Sequence, residues 1–389
     1  MRHLRSINDY LVVGIIMISW FCAAPLWGQL TDKLPDDPSS VMTAAEWKVV
    51  DRSIERALEW LTSQQKPDGS FPTIQNGQPG VTSLCLMAFL SQGHLPNEGK
   101  YGKQLQRALD YIVSCQNQNG ILAASVPDSP TLSRIIDHQI GYTSVYNHAL
   151  AGLVLTECYA MAGPKIEPVI KKALDVTFQI QDFPRTKSDA GGWRYLDKRD
   201  SLDSDLSTAG WQLMFLRSAR DAGFDVEEPR ITRAVGYVRR CFLEKHGTFT
   251  YSVGSQQRAS RGMAGAGILA LAHTGLHETP EAQRAGDWIL KSGFDDYNQI
   301  GKVKNLRNRK DRYFYGLLTC SQAMYQLGGR HWREFFPPTA RVLVENQRAD
   351  GSWAKESYAG DSKFGNAYTT ATAVIALSPS NQLLPIFQR

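Results

Sequence analysis

The sequence predicts an all-α protein, an (α/α)6 toroid of six helix-pair repeats. Three observations carry that reading: an amphipathic helical pattern that recurs six times, a glutamine and glycine corner after it, and a second apolar stretch after each corner. With 389 residues, 42% hydrophobic and 21% charged, the chain can bury a large core and falls outside the disordered class.

Ile54, Ala57, Leu58 and Leu61 stand at i, i+3, i+4 and i+7, the stripe of a helix with one buried face. Leu105, Ala108, Leu109 and Ile112 repeat it, then Ile170, Ala173, Leu174 and Thr177, then Ile231, Ala234, Val235 and Val238. Weaker copies are Ala282, Ala285, Gly286, Ile289 and Phe336, Thr339, Ala340, Leu343. Successive copies start 51 to 65 residues apart, room for two helices and their loops. A tetratricopeptide solenoid, with a period of about 34 residues, does not fit.

The corner reads Gln65-Lys66-Pro67-Asp68-Gly69-Ser70-Phe71, Gln116-Asn117-Gln118-Asn119-Gly120-Ile121-Leu122 and Gln347-Arg348-Ala349-Asp350-Gly351-Ser352-Trp353. Gln181 and Phe242 hold the glutamine position in repeats three and four, followed after insertions by Gly191-Gly192-Trp193 and Gly247-Thr248-Phe249. The glutamine amide can satisfy backbone groups left open at helix ends, glycine permits the turn, and the aromatic ring covers the junction. The second helices are expected over Thr82 to Leu90, Thr143 to Ala160, Thr208 to Arg217, Gly262 to His273, Tyr313 to Leu327 and Tyr368 to Leu377. They are apolar on most faces, so they form the inner layer.

Residues 1 to 28 read as a secretory signal: Met-Arg-His-Leu-Arg, an apolar run from Leu11 to Ala24, then Pro25-Leu26-Trp27-Gly28. An uncleaved anchor is the alternative, although the run is shorter than the roughly 20 residues of a comfortable span. The organisation expected is signal 1–28, linker 29–44, toroid 45–380 and tail 381–389. A formal charge of +5 gives no argument for nucleic acid. Cys85, Cys115, Cys158, Cys241 and Cys320 are too widely spaced for a disulfide framework or a zinc site, so no metal and no cofactor are expected.

The repeated Gln-x-x-x-Gly-x-Trp/Phe corner resembles the QW motif of squalene-hopene and oxidosqualene cyclases, and the wider repeat family that includes protein prenyltransferase β subunits. The resemblance runs from the first repeat to the last helix, is specific for the fold and says little of the activity. Cyclases of that family protonate a double bond or epoxide with an Asp-x-Asp-Asp acid inside aromatic walls. The match here is Asp203-Ser204-Asp205-Leu206, without the final carboxylate, which makes Asp203 and Asp205 the candidate acids and leaves capping by Asp205 or Ser207 as the alternative. The prenyltransferase zinc ligands have no counterpart: Lys363-Phe364-Gly365-Asn366-Ala367-Tyr368 stands where a zinc histidine is expected.

Corner loops lie on one rim of such a ring, which makes that rim the mouth and its long insertions, 121 to 140, 182 to 206 and 293 to 312, the places for binding residues. Arg307, Lys310 and Arg312, with Arg261 from repeat four, offer guanidinium and ammonium groups beside Tyr313 and a helix start, suited to a phosphate or lipid head group or else a solvated loop. Asp137 and His138 form a candidate acid/base pair of a polysaccharide-degrading toroid, with a plain surface pair as the alternative. Tyr146, Trp211, Tyr315 and Tyr368, near inner-helix starts, wall an apolar cavity or pack the core. The expected partner is an isoprenoid or other apolar lipid, or a protein that closes the cavity. Three functions stay open: a binding toroid, a cyclase-like isomerase and a glycan-degrading enzyme.

Overall fold

The computed structural model describes residues 37–132, 137–197, 202–255, 259–299, 311–381 and 383–388. The expected signal, 1–28, and the basic residues Arg307 and Lys310 lie outside them. Six outer helices alternate with six inner ones. The outer set is α1 (Ala44–Gln64), α3 (Gly102–Ser114), α5 (Glu167–Gln181), α7 (Glu228–Arg240), α9 (Pro280–Ser292) and α11 (Gly329–Glu345). The inner set is α2 (Gly80–Leu90), α4 (His138–Glu157), α6 (Leu206–Asp221), α8 (Arg261–Ala272), α10 (Tyr313–Leu327) and α12 (Gly365–Leu377).

Each outer helix buries one stripe, in α1 Ile54, Ala57, Leu58 and Leu61, and leaves its other face to solvent. The inner helices are buried all round; every residue of α2 is. Neighbours pair in the order α2, α4, α6, α8, α10, α12 and back to α2, which closes the ring. No described helix is long and apolar enough to cross a membrane.

The corner glutamines fasten repeat to repeat. Gln65 Nε2 donates to Gly69 O in its own corner at 3.0 Å and to Gln104 O of the next outer helix at 2.8 Å. Gln116 does the same to Gly120 and Val169, and Gln181 to Gly191 and Arg230. Gln347 donates to Gly351 O and to Ser53 O of α1, both at 2.8 Å, so the sixth corner locks onto the first helix. The amide therefore joins neighbouring repeats rather than only capping its own helix. At Gly69, φ is +91° and a Cβ would sit 2.2 Å from Arg107 O; two constraints, conformation and contact, require glycine there. In repeat four, where Phe242 replaces the glutamine, the corner becomes a short antiparallel ribbon, β1 (Phe242–Leu243) with β2 (Thr248–Phe249), the one departure from the all-helical expectation among the described residues.

Both ends of the described part of the chain are built into the ring more than expected. Within the expected linker 29–44, the turn Pro38–Val41 docks on the last outer helix, with Trp332 Nε1 donating to Pro38 O at 3.0 Å. In the expected tail, Leu384, Ile386 and Phe387 are buried. Gln326 Nε2 of α10 holds Phe387 O at 3.0 Å, and Ile386 N donates to Glu157 at the end of α4. The tail thus packs against the inner-helix C-termini, the end of the ring away from the corners. Burial there pushes the Glu157 carboxyl up to about 7.

Candidate functional site

The inner helices begin on the corner side of the ring, where small residues near two of their starts, Gly80 in α2 and Ser207 in α6, border an opening. A cavity lies there with about 720 Å³ of space free of protein atoms, part of it open to solvent. Val81, Leu84, Leu150 and Leu318 give it aliphatic walls, and Tyr146, Trp211, Tyr315, Phe364 and Tyr368 give it aromatic ones. Tyr146, Trp211 and Tyr368, expected to wall a cavity, all line it.

Two charged side chains reach the lining, Arg312 and Asp361. Arg312 Nε lies 2.8 Å from Asp361 Oδ2, a contact of charges rather than an aligned hydrogen bond, and its Nη2 donates to Tyr142 Oη at 3.1 Å. Burial raises the Asp361 carboxyl, opposed by the neighbouring guanidinium. Burial also pushes the Tyr142 phenol up to about 12. Lys363 Nζ donates to Gln139 Oε1 of α4 at 3.2 Å, so the first turn of α4 meets the last corner across the mouth.

The position of α4 depends on Gly141. Its carbonyl accepts from Leu196 N at 3.2 Å, and a Cβ would stand 1.9 Å from Leu196 O. With the helix pressed onto that corner, His138 Nδ1 comes 2.8 Å from Asp197 Oδ2, and the Tyr142 ring lies 4.7 Å from that of Tyr195. The partner of His138 is thus Asp197, which is buried, and not Asp137. The Asp137 carboxylate accepts from Gln139 N at 2.9 Å and caps α4.

Asp205 is fully buried and caps α6. Its Oδ1 accepts from Thr208 N at 2.8 Å and from Ser207 Oγ at 2.6 Å, and its Oδ2 accepts from Arg194 Nη1 at 3.0 Å. Ser207 spends its proton on Asp205, so Tyr146, 2.6 Å away, donates to Ser207. Ser207 lines the lumen, so a single hydroxyl separates Asp205 from it. Asp203 stands outside, partly exposed, 3.2 Å from Arg194 Nε.

Arg261 and Tyr313, expected at a head-group site, are turned into the core. Arg261 is 3% exposed; its Nε and Nη2 donate to Asp311 Oδ2 at 2.9 and 2.6 Å, and its Nη1 to Gly293 O. The Tyr313 ring is buried edge-on against Phe294, 5.5 Å between centroids. Of the basic run read from the sequence, Arg312 is the described member that faces the lumen. The site residues the sequence reading missed are Asp361 and Phe364 in the last corner, with Asp197 and Arg194 behind the wall. No group of side chains suited to a metal ion occurs among the described residues.

No family model and no curated protein matches the chain. Solved structures do. The type II terpene cyclase MstE from Scytonema, in complex with geranylgeranyl dihydroxybenzoate, is 14% identical over 88% of this chain and 100% of its own, with a TM-score of 0.58. A D-mannose isomerase is 14% identical over 88% and 99%, with a TM-score of 0.61. Cellobiose 2-epimerase from Bacillus thermoamylovorans is 14% identical over 85% and 98%, with a TM-score of 0.58. At these identities the likeness is one of fold, and the chain is an α/α toroid. Cyclase, isomerase and epimerase fit it about equally well, so activity has to be argued from the lumen.

Proposed function

We propose that this chain is an exported toroid that binds an amphipathic ligand, with an isoprenoid-type or similarly apolar body in the lumen and a polar or anionic head at Arg312. The carrying observation is the lining itself: aromatic and aliphatic walls with one guanidinium, that of Arg312 beside Asp361, at the mouth end. The N-terminal pattern of charged, apolar and small residues supports export. A partner protein that covers the mouth is compatible with the same site.

A second reading, a cyclase-like isomerase, has one observation in its favour. Asp361 is the carboxyl that lines the lumen, burial favours its protonated form, and it stands among π faces. The acid would then be Asp361 and not Asp203 or Asp205. For a glycan-degrading enzyme, two carboxyls flanking a scissile bond are needed. The described lining supplies one.

The test is displacement of the dye 1-anilinonaphthalene-8-sulfonate by farnesol and by farnesoic acid, in the wild type and in Arg312→Leu. Loss of a charge-assisted contact should weaken the acid about 10-fold to 100-fold and leave the alcohol nearly unchanged. Equal binding of the acid by both proteins would remove Arg312 from the site. Conversion of a bound polyene, abolished in Asp361→Asn, would decide for the second reading.

A further inference from the structure

The segment after α12 crosses the far end of the ring. Gln92, just past α2, holds its beginning: Gln92 Nε2 donates to Ser378 Oγ at 2.6 Å, and Asn381 Nδ2 donates to Gln92 Oε1 at 3.2 Å. Gln326 Nε2 of α10 then takes the carbonyls of Phe387 and Gln388, at 3.0 and 3.1 Å. The turn Pro385–Phe387 packs on α6, which stands opposite α12 in the ring order. There the tie is Ile386 N, which donates to Glu157 Oε2 of α4 at 3.4 Å.

Glu157 is buried at the end of a chain of oxygens. Leu153 O and Thr156 Oγ1 are 2.7 Å apart, Thr156 Oγ1 and Ser218 Oγ 2.7 Å, and Ser218 Oγ and Glu157 Oε1 2.5 Å. Contacts this short need a hydrogen between each pair of oxygens, and the two hydroxyls own two. The third belongs to the carboxyl, so the docked tail goes with a protonated Glu157. Its surroundings favour the same form. Burial, and beyond it the charge of Asp221 on α6, holds the proton on, against the hydrogen bonds of Ser218 and Ile386. Asp221 is itself paired with Arg217, Cys158 beside Glu157 is a buried thiol, and residues 383–388 carry no ionisable side chain.

We propose that residues 383–388 are a detachable bar across the far end of the ring, latched while Glu157 is protonated and loosened when it ionises. Ionisation removes the hydrogen from one short contact and leaves a buried charge without a counter-ion, whereas a released tail lets water reach the carboxylate. The docked carboxyl titrates at about 7 and an exposed one at about 4.5, so the latch is complete below the lower value and is lost as pH rises through the upper one. Release uncovers Leu384, Ile386 and Phe387 together with their seat, an apolar surface that the docked tail hides. The bar is independent of what the lumen binds.

Amide hydrogen exchange tests it, read by mass spectrometry on a peptide that includes Ile386 and Phe387, at about pH 5.5 and about pH 8.5, with the intrinsic pH dependence of exchange removed. In the wild type the open fraction of the tail should rise about 30-fold between the two. Glu157→Gln carries an amide that donates to Ser218 and accepts from Ile386 as the protonated carboxyl does, so its tail should be equally protected at both. Glu157→Leu, also uncharged, takes its place if the glutamine variant lacks a cooperative thermal transition. Gln326→Leu cuts the tie at α10 and should raise exchange at both pH values while keeping the ratio. A wild-type ratio near one, or the same ratio in the uncharged variant, overturns the latch. So does an equal rise in the amides of α7, which would mean that the whole ring loosens rather than the bar.

Discussion

Replacing Asp311 by alanine should lower the stability of the fold by about 4–5 kcal/mol, because it leaves a buried guanidinium without its counter-charge. Asp311 is 1% exposed and takes three donors from Arg261: the backbone N–H at 3.0 Å, Nε and Nη2. It therefore caps α8 and neutralises its first side chain at once, from the segment that leads into α10. After the substitution only Gly293 O still receives the guanidinium. Urea unfolding measures the loss. The double variant Asp311→Leu with Arg261→Met should be clearly more stable than Asp311→Ala alone, since it buries no unpaired charge. A loss below about 1 kcal/mol would mean that Arg261 reaches water, as a ligand-binding residue would.

Asp205→Ala should lose about 3 kcal/mol, of which the helix cap accounts for about 1. The rest comes from Arg194, half its pairing removed but still held by Asp203 and by Tyr251 Oη at 2.7 Å. These neighbours put the effect below that of Asp311. The structural role makes a further demand: folded Asp205→Asn, which retains a capping side chain, should bind lumen ligands as the wild type does. If Asp205→Asn kept full stability and lost a cyclisation activity, Asp205 would be an acid after all.

The ring was legible in the sequence because its outer helices bury one stripe each, so the apolar period survives as a pattern. The corner was legible because glycine at positive φ, pressed on the carbonyl of the next helix, tolerates no replacement side chain. Starts of the inner helices were read late, at Thr143 instead of His138 and Tyr368 instead of Gly365, since those first turns carry glycine and polar residues without apolar period. The wall aromatics Tyr146, Trp211 and Tyr368 could be picked out by their place after each corner.

Pairing across the ring had no local signal. Arg312 meets Tyr142, 170 residues away, and His138 meets Asp197, 59 away, while the nearer Asp137 turns to its own helix. The basic run misled for a similar reason. Arg261 and Arg312 look alike in sequence, but one has a buried aspartate directly before the other's helix, and the other has the lumen.

The most direct measurement is mass spectrometry of organic extracts from the purified protein, beside Leu84→Trp, which fills the lumen with an indole. A single amphipathic, isoprenoid-type lipid at near-stoichiometric level in the wild type, and its absence from folded Leu84→Trp, is the predicted result. Extracts that do not differ between the two proteins would contradict an apolar ligand in the lumen.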